Sequence, residues 1–503
     1  MSPTVPTGEL AEFGYRQELR RSLGGFSAFA AGFSFVSILT TVFQLFGFGY
    51  SFGGTLFFWT WPVVLAGQLM VALNFAELAA RYPLAGSVYQ WAKQLTRGFR
   101  GWLAGWMMLI GCVVALAAAA IALQVVLPSV WGGFQLVGGD PSITSATGAT
   151  NAVLLGTMLL VFTTAVNAIS VRLMARINDL GVAAELAGVV VLTVGLVTFA
   201  VRGPRIVVQD IPGVTGASGT GFGALLASAL AAAYVLYGFD TAASVSEETK
   251  NARRAAPRAV LRALLISGLG GLVVVLLALM AAPSLTDGQL ATYGLPYVIT
   301  SVFGDPFGRI FLADVAIAVV VCTLTIQTGT IRLLYSMARD GALPFSDRLS
   351  KVNPRTGTPI APAISSGALA IALLLLNLGN STLFASLTAT SVVVVYLAYL
   401  LVTTPLLGKR LRRGLPEAKP GWFSLGRWAL PVNVAAVAYG LAMIVNIAWP
   451  RSEVYDRAGT GSVWMLLFPL EFAAAALLAG WLCWRRLRAT RPAITILPEG
   501  ALP

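Results

Sequence analysis

Long apolar segments recur along the whole of this 503-residue chain, and they limit its fold more than any other feature. A helix needs about 20 apolar residues to cross the core of a bilayer. Inside hydrocarbon the backbone N–H and C=O groups must bond to one another, which favours helices. The sequence therefore predicts an all-α integral membrane protein with twelve transmembrane helices. The predicted spans are residues 25–50, 54–80, 100–127, 150–170, 178–201, 220–243, 259–283, 307–336, 360–378, 381–407, 430–449 and 461–484.

The composition excludes a soluble protein. Hydrophobic residues make up 57% of the chain and charged residues 11%, whereas soluble domains carry about 25% charged residues. Residues 1–21 are polar, so we expect the first span to be an uncleaved anchor and not a signal peptide. The three cysteines fall inside predicted spans, so no disulfide framework is expected. The absence of histidine excludes the histidine-dependent enzymes.

The position of the basic residues explains the net charge of +13. Five of the 34 Lys and Arg residues fall in segments predicted to lie outside, namely Arg202, Arg205, Arg309, Arg451 and Arg457. The other 29 fall on the side of the N-terminus. This asymmetry predicts a multi-pass protein of the cytoplasmic (plasma) membrane with both termini in the cytoplasm. It requires no nucleic-acid partner.

The sixth predicted span contains a glycine and an acid at membrane depth, in the sequence YGFD at 237–240. A carboxylate is costly in hydrocarbon, and backbone leaves the helix there only where protein or water covers it. The segment therefore predicts a broken helix beside a cavity, as in secondary transporters. The alternative is a glycine packing contact with Asp240 at the membrane interface.

The first predicted span is interrupted in a similar way, by Gly32-Phe33-Ser34 and by Ser37. Five spans separate corresponding elements, so the two halves would enter the membrane in opposite senses. Paired broken helices in inverted halves predict a site at the interface of the two repeats. The alternative is that each glycine only permits close packing of helices.

Three further segments resemble signatures of the amino acid–polyamine–organocation transporters. FAEL at 75–78 followed by ARYPLAGSVYQW resembles the link between their second and third helices. GFDTAASVSEETKNARRAAPRA resembles their sixth helix, and RLLYSMARDGALP the end of their eighth. The resemblance covers about residues 20–410. The opening FGYRQELRRSLGGFSAFAAGFSFVSI is similar to the amino acid/choline branch, which carries GABA, choline, polyamines and amino acids, although the Gly-x-Gly step of many amino-acid permeases is missing.

The resemblance implies a leucine-transporter-like fold, a five-plus-five inverted repeat with broken helices 1 and 6 and peripheral helices 11 and 12. The expected divisions are a cytoplasmic tail (1–24), a first repeat (25–201), an outer linker (202–219), a second repeat (220–407), a cytoplasmic loop (408–429), the last two helices (430–484) and a cytoplasmic tail (485–503).

The resemblance also implies a solute site between the two broken helices. Backbone N–H groups at a half-helix end can bind a carboxylate, and aromatic faces attract an ammonium group. The predicted lining residues are Phe33, Ser34, Val36 and Ser37 on the first helix and Tyr234, Tyr237, Gly238 and Phe239 on the sixth. Tyr234 falls where relatives place an aromatic gate. Core packing is the alternative for each aromatic side chain.

Glu185 is the acid that we favour for ion coupling. It lies deep in the fifth span with no basic residue within one turn, where several sodium-independent relatives carry a lysine. A proton or a cation would relieve the desolvation of its carboxylate; the alternative is a protonated glutamic acid hydrogen-bonded between helices. Glu77, close to Arg81, is predicted to be structural in an inner gate. Asp240 is predicted to pair with polar groups near the break, and Asp314 is ambiguous.

A second coupling hypothesis places a sodium ion on the eighth span. Oxygen ligands are offered there by Thr323, Thr325, Gln327 and Thr328. The alternative is that these are ordinary polar side chains of a membrane helix. Glu471 on the twelfth span is expected to be peripheral, and neither a cofactor nor a resident metal is expected.

The predicted function is secondary active transport of a small amino acid or amine by alternating access, with proton-coupled uptake. The expected partners are the solute, a co-transported proton or sodium ion, and the bilayer. An exchanger and a sodium-coupled symporter are the alternatives within this class. A solute receptor or a channel is the alternative from another class, although the tails are short and no charged pore ring is evident. A primary pump is excluded because no phosphate-binding Gly-x-x-x-x-Gly-Lys-Ser/Thr motif is present.

Overall fold

The computed structural model describes residues 10–143, 145–213, 221–286, 288–378, 381–412, 414–415, 418–456, 459 and 461–490, and of residues 381–390 only the course of the helix. Parts of the predicted tails, of the outer linker and of the 408–429 loop lie outside these residues, as does Arg457.

The regular secondary structure of the described residues is helical. The α-helices are α1 (Gly25–Val36), α2 (Ile38–Gly53), α3 (Phe57–Arg81), α4 (Ser87–Leu95), α5 (Phe99–Val130), α6 (Ala146–Ile169), α7 (Val171–Thr198), α8 (Phe222–Val235), α9 (Thr241–Ser244), α10 (Ala252–Ala281), α11 (Gln289–Tyr293), α12 (Leu295–Arg339), α13 (Ser346–Leu349), α14 (Ile360–Leu374), α15 (Ser381–Leu411), α16 (Ala429–Ala448), α17 (Ser452–Tyr455) and α18 (Val463–Thr490). Short 3-10 helices occupy Ala11–Phe13, Gly54–Leu56, Gly132–Phe134, Pro204–Val208, Ser246–Glu248, Leu375–Leu378 and Gly426–Trp428. In these ranges the sole β-type pairing is an isolated parallel bridge between Leu23 and Thr249.

Ten helical segments in the described residues are long and apolar enough to cross a membrane. One of them, Gly25–Arg81, is 57 residues long and contains the first two predicted spans. The sixth predicted span is not among the ten, because its regular helix, α8, has only 14 residues. The prediction of an all-α membrane protein is thus confirmed at the level of the long apolar helices.

The eighth predicted span, 307–336, is the second part of a longer element. Helix α12 runs for 45 residues and bends at Gly304, whose φ of 70° and ψ of 174° are not helical. Pro306 follows two residues later and lacks the N–H that a continuous helix would use. The eighth predicted span therefore follows a bend within a longer helix and is not preceded directly by a loop.

The interior of the bundle is built around α5, which packs against α4, α6, α12 and α15. Of the most apolar window of α5, 89% is buried, compared with 22% for α18. Alanine and glycine supply much of the buried surface of α5, and such small residues allow helix backbones to approach closely. The site described below lies against this buried helix, of which Ala115 and Ala119 form part of the cavity wall.

Of the two interruptions predicted in the first span, the helix breaks at Ser37 and continues through Gly32-Phe33-Ser34. Gly32, Phe33 and Ser34 are all helical within α1. A Cβ on Gly32 would lie 2.8 Å from the Cβ of Ala242 and 2.9 Å from that of Ala263. The glycine therefore serves close packing, while the helix ends at Ser37.

Candidate functional site

The break in the first span is a single residue. Ser37 separates α1 from α2 and has a φ of 39°, a conformation that non-glycine residues seldom adopt. Its N–H donates to the carbonyl of Phe33 at 2.7 Å and so ends α1. Its hydroxyl accepts the N–H of Thr40 at 3.3 Å and so caps α2. One serine thus ends one half-helix and begins the next.

The break in the sixth span lies between α8 and α9, at residues 236–240. Gly238 has a φ of 85°, which L side chains rarely adopt. A Cβ at this position would also lie 1.9 Å from Cδ1 of Phe35 on α1. Both the backbone angle and the contact with Phe35 therefore require glycine here. The prediction of a break at Gly238 agrees with the described backbone.

A chain of hydrogen bonds gives partners to the N–H of Gly238 and to the carboxylate of Asp240 in this break. The N–H of Gly238 donates to the hydroxyl of Tyr399 at 3.0 Å. That hydroxyl donates to Oδ1 of Asp240 at 2.6 Å, and the hydroxyl of Ser87 donates to Oδ2 at 2.9 Å. Asp240 is 1% exposed, so it is a buried acceptor that joins the α8–α9 junction to two helices, α15 and α4.

A small cavity lies between the two broken spans. Its volume is about 20 Å³, which is room for about one water molecule. Two predicted site residues, Tyr234 and Tyr237, line it, together with Phe35, Thr40, Thr41, Gln44, Ala115, Ala119, Cys322 and Ile326. The rings of Phe35 and Tyr234 each meet Tyr237 edge-on at 5.7 Å. Three aromatic rings thus border one side of the cavity.

The other predicted lining residues lie beside the cavity and not on its wall. Phe33 packs against Phe29, with ring centroids 5.5 Å apart. Phe239 packs against Phe75 and Tyr399 at 6.2 and 5.8 Å. Ser34, Val36, Ser37 and Gly238 are buried in or next to the two breaks.

Glu185 is bonded directly to the break in the first span. Its Oε1 accepts the hydroxyl of Ser37 at 2.9 Å and the N–H of Leu39, the second residue of α2, at 3.1 Å. The side chain is 1% exposed, and Oε2 has no hydrogen-bond partner within the described residues. A buried carboxyl oxygen without a donor is costly. Oε2 is therefore the atom at which a proton would be accommodated.

A second acid, Asp314 of α12, approaches α7 about one turn after Glu185. A Cβ on Gly188 would lie 1.9 Å from Oδ2 of Asp314 on α12. That oxygen also lacks a partner among the residues described. Gly188 is three residues from Glu185, so Asp314 contacts α7 close to the position of Glu185.

The four residues of the predicted sodium site donate to four different acceptors. Thr323 donates to the carbonyl of Val319 in its own helix. Thr325 donates to Oδ1 of Asn178 at 2.7 Å, which also accepts the hydroxyl of Ser34.

The other two side chains face α6. Gln327 donates to Thr164 and Thr328 to Asn167, at 2.7 and 2.8 Å. Each of the four donors thus has its own acceptor. The described residues hold no group of three His, Cys, Asp or Glu side chains that could bind a metal ion.

Ion pairs close one end of the bundle, which we call the charged end. Buried Glu248 binds Arg332 through both carboxylate oxygens, at 3.0 and 3.1 Å. Glu247 pairs with Arg339 in the same way, at 2.9 and 2.8 Å. Such bidentate pairs are strong and fix geometry.

Glu77 belongs to the same end of the bundle. It binds Arg81 one turn away and Arg410 of α15, both at 2.8 Å. The predicted proximity of Glu77 to Arg81 is therefore present, and the partner on α15 is additional. Glu77 joins α3 to α15.

The chain preceding α1 covers the charged end. The N–H of Leu23 donates to the carbonyl of Glu248, and the N–H of Lys250 donates to the carbonyl of Leu23, both at 2.9 Å. Tyr15 donates to Asp340 at 2.8 Å, and Lys93 pairs with Asp340 at 2.7 Å.

The ammonium of Lys93 stays charged in this cluster. Burial acts to lower its pKa, but Asp340 and Tyr15 act in the opposite direction and the pKa is raised overall. The pair therefore contributes stability below the ordinary pKa of lysine and loses it only as the pH rises through the raised value.

Several functional contacts could not be read from the sequence. Tyr399 and Phe35 stand in apolar runs with no local sign of a special role. Tyr399 is 161 residues from Gly238, its hydrogen-bond donor. The one available signal was that a buried tyrosine hydroxyl needs a partner.

Comparisons with known sequences identify the family. Residues 23–472 match the amino acid permease family. The chain is 28% identical over 472 residues to amino-acid permease BAT1 of Arabidopsis thaliana, covering 89% of each chain. It is 29% identical over 466 residues to the BAT1 homolog of Oryza sativa subsp. japonica, covering 88% of this chain and 87% of the relative.

A fungal relative gives the same result. The chain is 24% identical over 461 residues to the GABA-specific permease of Saccharomyces cerevisiae, covering 88% of this chain and 78% of that one. Relatives named permeases are transporters and not enzymes. The match to the family spans most of the 503 residues. The chain therefore belongs to the amino acid permease family of the amino acid–polyamine–organocation superfamily, and is a multi-pass membrane protein of amino acid transport.

Proposed function

We propose that this protein is a secondary active transporter that carries a small amino acid or amine by alternating access, with proton-coupled uptake. Its architecture in this proposal is twelve membrane crossings in a five-plus-five inverted repeat. The paired breaks at Ser37 and Gly238 support it, because half-helix ends meeting inside a membrane are typical of such carriers.

The observation that carries the proposal is the bond between Glu185 and the first break. Its Oε1 accepts from Leu39 and Ser37 while Oε2 is left without a partner. Protonation of Oε2 neutralises the carboxylate and gives it a donor. Deprotonation restores a negative charge at the N-terminus of α2, where the helix dipole favours it. A proton on Glu185 would thereby bias the geometry of the break.

The aromatic side of the cavity suits the ammonium group of the solute. Phe35, Tyr234 and Tyr237 are buried side chains on the wall of this cavity, and cation–π attraction reaches about 2 kcal/mol when the cation is desolvated. The yeast relative named for GABA favours a solute that carries both an amine and a carboxylate. The cavity must enlarge before such a molecule fits, because its present volume is about 20 Å³.

Opening toward the charged end would require the pairs Glu248–Arg332 and Glu247–Arg339 to separate or move as units. Both acids lie in the 3-10 helix Ser246–Glu248, which comes after α9, and both basic residues lie on α12. A movement of the sixth span relative to the eighth would therefore act on these pairs. This makes the charged end an inner gate in our proposal.

Sodium coupling is the less favoured alternative. Thr325 and Thr328 donate to asparagine oxygens, and Gln327 to a threonine. A cation needs several oxygen atoms directed at one point. The described arrangement of these side chains would have to change before a sodium ion was bound.

The charged end faces the cytoplasm in our proposal, with both termini on that side of the plasma membrane. In a background with Cys483 replaced by serine, we expect Asn251→Cys to be protected from an impermeant maleimide in intact cells. The matched exposed residue Thr286, changed to cysteine, is expected to react. Labelling of Asn251→Cys from outside, with Thr286→Cys protected, would reverse the topology.

Counterflow in proteoliposomes tests the carrier itself. Vesicles loaded with an unlabelled amino acid should transiently accumulate the same labelled amino acid, because a loaded carrier returns in both directions. The amino acid is chosen by a thermal-shift screen of the purified protein, since a ligand stabilises the state that it binds. A receptor would bind without any uptake, and a channel would equilibrate the label without an overshoot. Either result would reject the proposal.

A further inference from the structure

A second cavity lies away from the broken spans, between α1 and the first turns of α10. Its volume is about 340 Å³, in the range of sites for small ligands. It is lined by Gly25, Phe29, Lys250, Asn251, Arg254, Ala255, Arg258, Ala259 and Arg262. Four of these nine residues are basic and none is acidic.

The basic residues form one stripe. Arg254, Arg258 and Arg262 follow one another at intervals of four along α10, which puts them on one face of the helix. All three side chains are exposed, as is Lys250 just before the helix. The described residues place no carboxylate within ion-pair distance of these four. Concentrated positive charge without acids attracts an anion.

Asp179 of α7 is an acid that contacts α1, but on a face of α1 that does not line the cavity. Asp179 of α7 accepts the hydroxyl of Ser27 at 2.8 Å. Ser27 is two residues from both Gly25 and Phe29, about 200° around the helix from each. Asp179 is therefore held on a different face of α1 from the one that lines the cavity.

The same stripe of α10 changes from basic to apolar as it continues. Ile266, Leu269 and Val273 follow Arg262 at intervals of four, three and four residues, and they are 41%, 54% and 41% exposed. Arg254 to Arg262 covers about 12 Å of helix before this apolar part begins. A surface that is cationic for one stretch and apolar for the next matches a phosphate head group followed by an acyl chain.

We propose that this cavity binds an anionic glycerophospholipid from the adjacent leaflet. The phosphate is bound by Arg258 and Arg262, with Lys250 and Arg254 at the mouth, and an acyl chain lies along Ile266, Leu269 and Val273. Arginine suits this role because its planar donors bind phosphate oxygens in pairs. The site is separate from the solute cavity, so the proposal holds whichever solute is carried.

The test compares two double variants of the purified full-length protein in dodecyl maltoside. Arg258→Gln/Arg262→Gln removes two charges from the stripe. Arg172→Gln/Arg176→Gln removes two exposed arginines with the same spacing at the start of α7, neither of which lines the cavity. Each protein is titrated with dioleoyl phosphatidylglycerol, with dioleoyl phosphatidylcholine or with inorganic phosphate, and Tm is followed by tryptophan fluorescence.

We expect phosphatidylglycerol to raise the Tm of the wild type and of the α7 variant at the same concentrations. The α10 variant should need about 30-fold more of this lipid for half of the effect, from the contribution of each basic residue near an anionic surface. Phosphatidylcholine and phosphate should produce little change. If the α10 double variant does not fold, Arg262→Gln is compared with Arg176→Gln, and the expected difference is about fivefold.

Three results would overturn the proposal. An equal response of the two double variants would mean that surface charge in general, and not this cavity, attracts the lipid. An equal effect of phosphatidylcholine would mean that the head-group charge is not recognised. An equal effect of inorganic phosphate would identify a site for a free anion and reject the lipid.

Discussion

Gly238→Leu is expected to reduce transport to the level of empty vesicles while the protein is still produced and inserted. The substituted residue would have to adopt a φ of 85° with its Cβ 1.9 Å from Cδ1 of Phe35. A non-glycine residue in this region costs roughly 1–2 kcal/mol from the backbone alone. Displacement of Phe35 would also close the cavity, since its ring forms part of the wall.

A matched pair of alanine variants separates the break from general damage to α8. Gly238→Ala already introduces the strained φ and the contact with Phe35. Gly223→Ala lies in α8, in the same predicted span as Gly238, at an exposed position where a Cβ meets nothing within 4 Å. We expect Gly223→Ala to transport like the wild type and Gly238→Ala to be strongly impaired. Size-exclusion chromatography checks that each protein is folded, and normal uptake by folded Gly238→Leu would remove the break from the site.

Glu185→Gln is expected to abolish proton-driven accumulation and to preserve exchange. The amide oxygen of glutamine can still accept from the N–H of Leu39 and the hydroxyl of Ser37, as Oε1 does now. The amide nitrogen takes the place of Oε2, which has no partner in the described structure. The substitution therefore keeps the shape and the hydrogen bonds of the break and removes only the titratable proton.

The control for this variant is another acid in an apolar helix. Glu471→Gln in α18 changes a partly exposed carboxylate of the helix that is least buried, and we expect it to accumulate the solute normally. A cation-binding role for Glu185 predicts instead a sodium requirement that weakens in Glu185→Gln. A purely structural role predicts less folded protein with unchanged energy dependence. Undiminished proton-driven accumulation by Glu185→Gln would exclude it as the coupling residue and leave Asp240 and Asp314 for testing.

The features that could be singled out from the sequence are those with a local physical cause. Gly238 could be singled out because Asp240, two residues later, is an acid that is costly inside an apolar span. Glu185 could be singled out because no basic residue lies within a turn of it. In both cases the cost of a polar group in hydrocarbon is visible in a short stretch of sequence.

The features that the sequence missed depend on contacts between distant helices. The sequence predicts an interruption of the helix at Gly32, but the close approach of Ala242 and Ala263 makes this glycine a packing residue. The break falls at Ser37, which the sequence did indicate, but the contact with Glu185, 148 residues away, which supplies an acceptor for its hydroxyl, was not visible there. Phe35, and not Phe33, lines the cavity. Such pairings follow from the three-dimensional arrangement and leave no pattern in one helix.

The most direct test of proton-coupled uptake measures the wild-type protein in sodium-free proteoliposomes with an imposed pH gradient. The solute is the amino acid or amine identified by thermal shift, and its internal concentration is compared with and without a proton ionophore. Our account predicts accumulation above the external concentration when the outside is more acidic, and loss of that accumulation with the ionophore. Accumulation that needs sodium and ignores the pH gradient, or mere equilibration under every gradient, would contradict it.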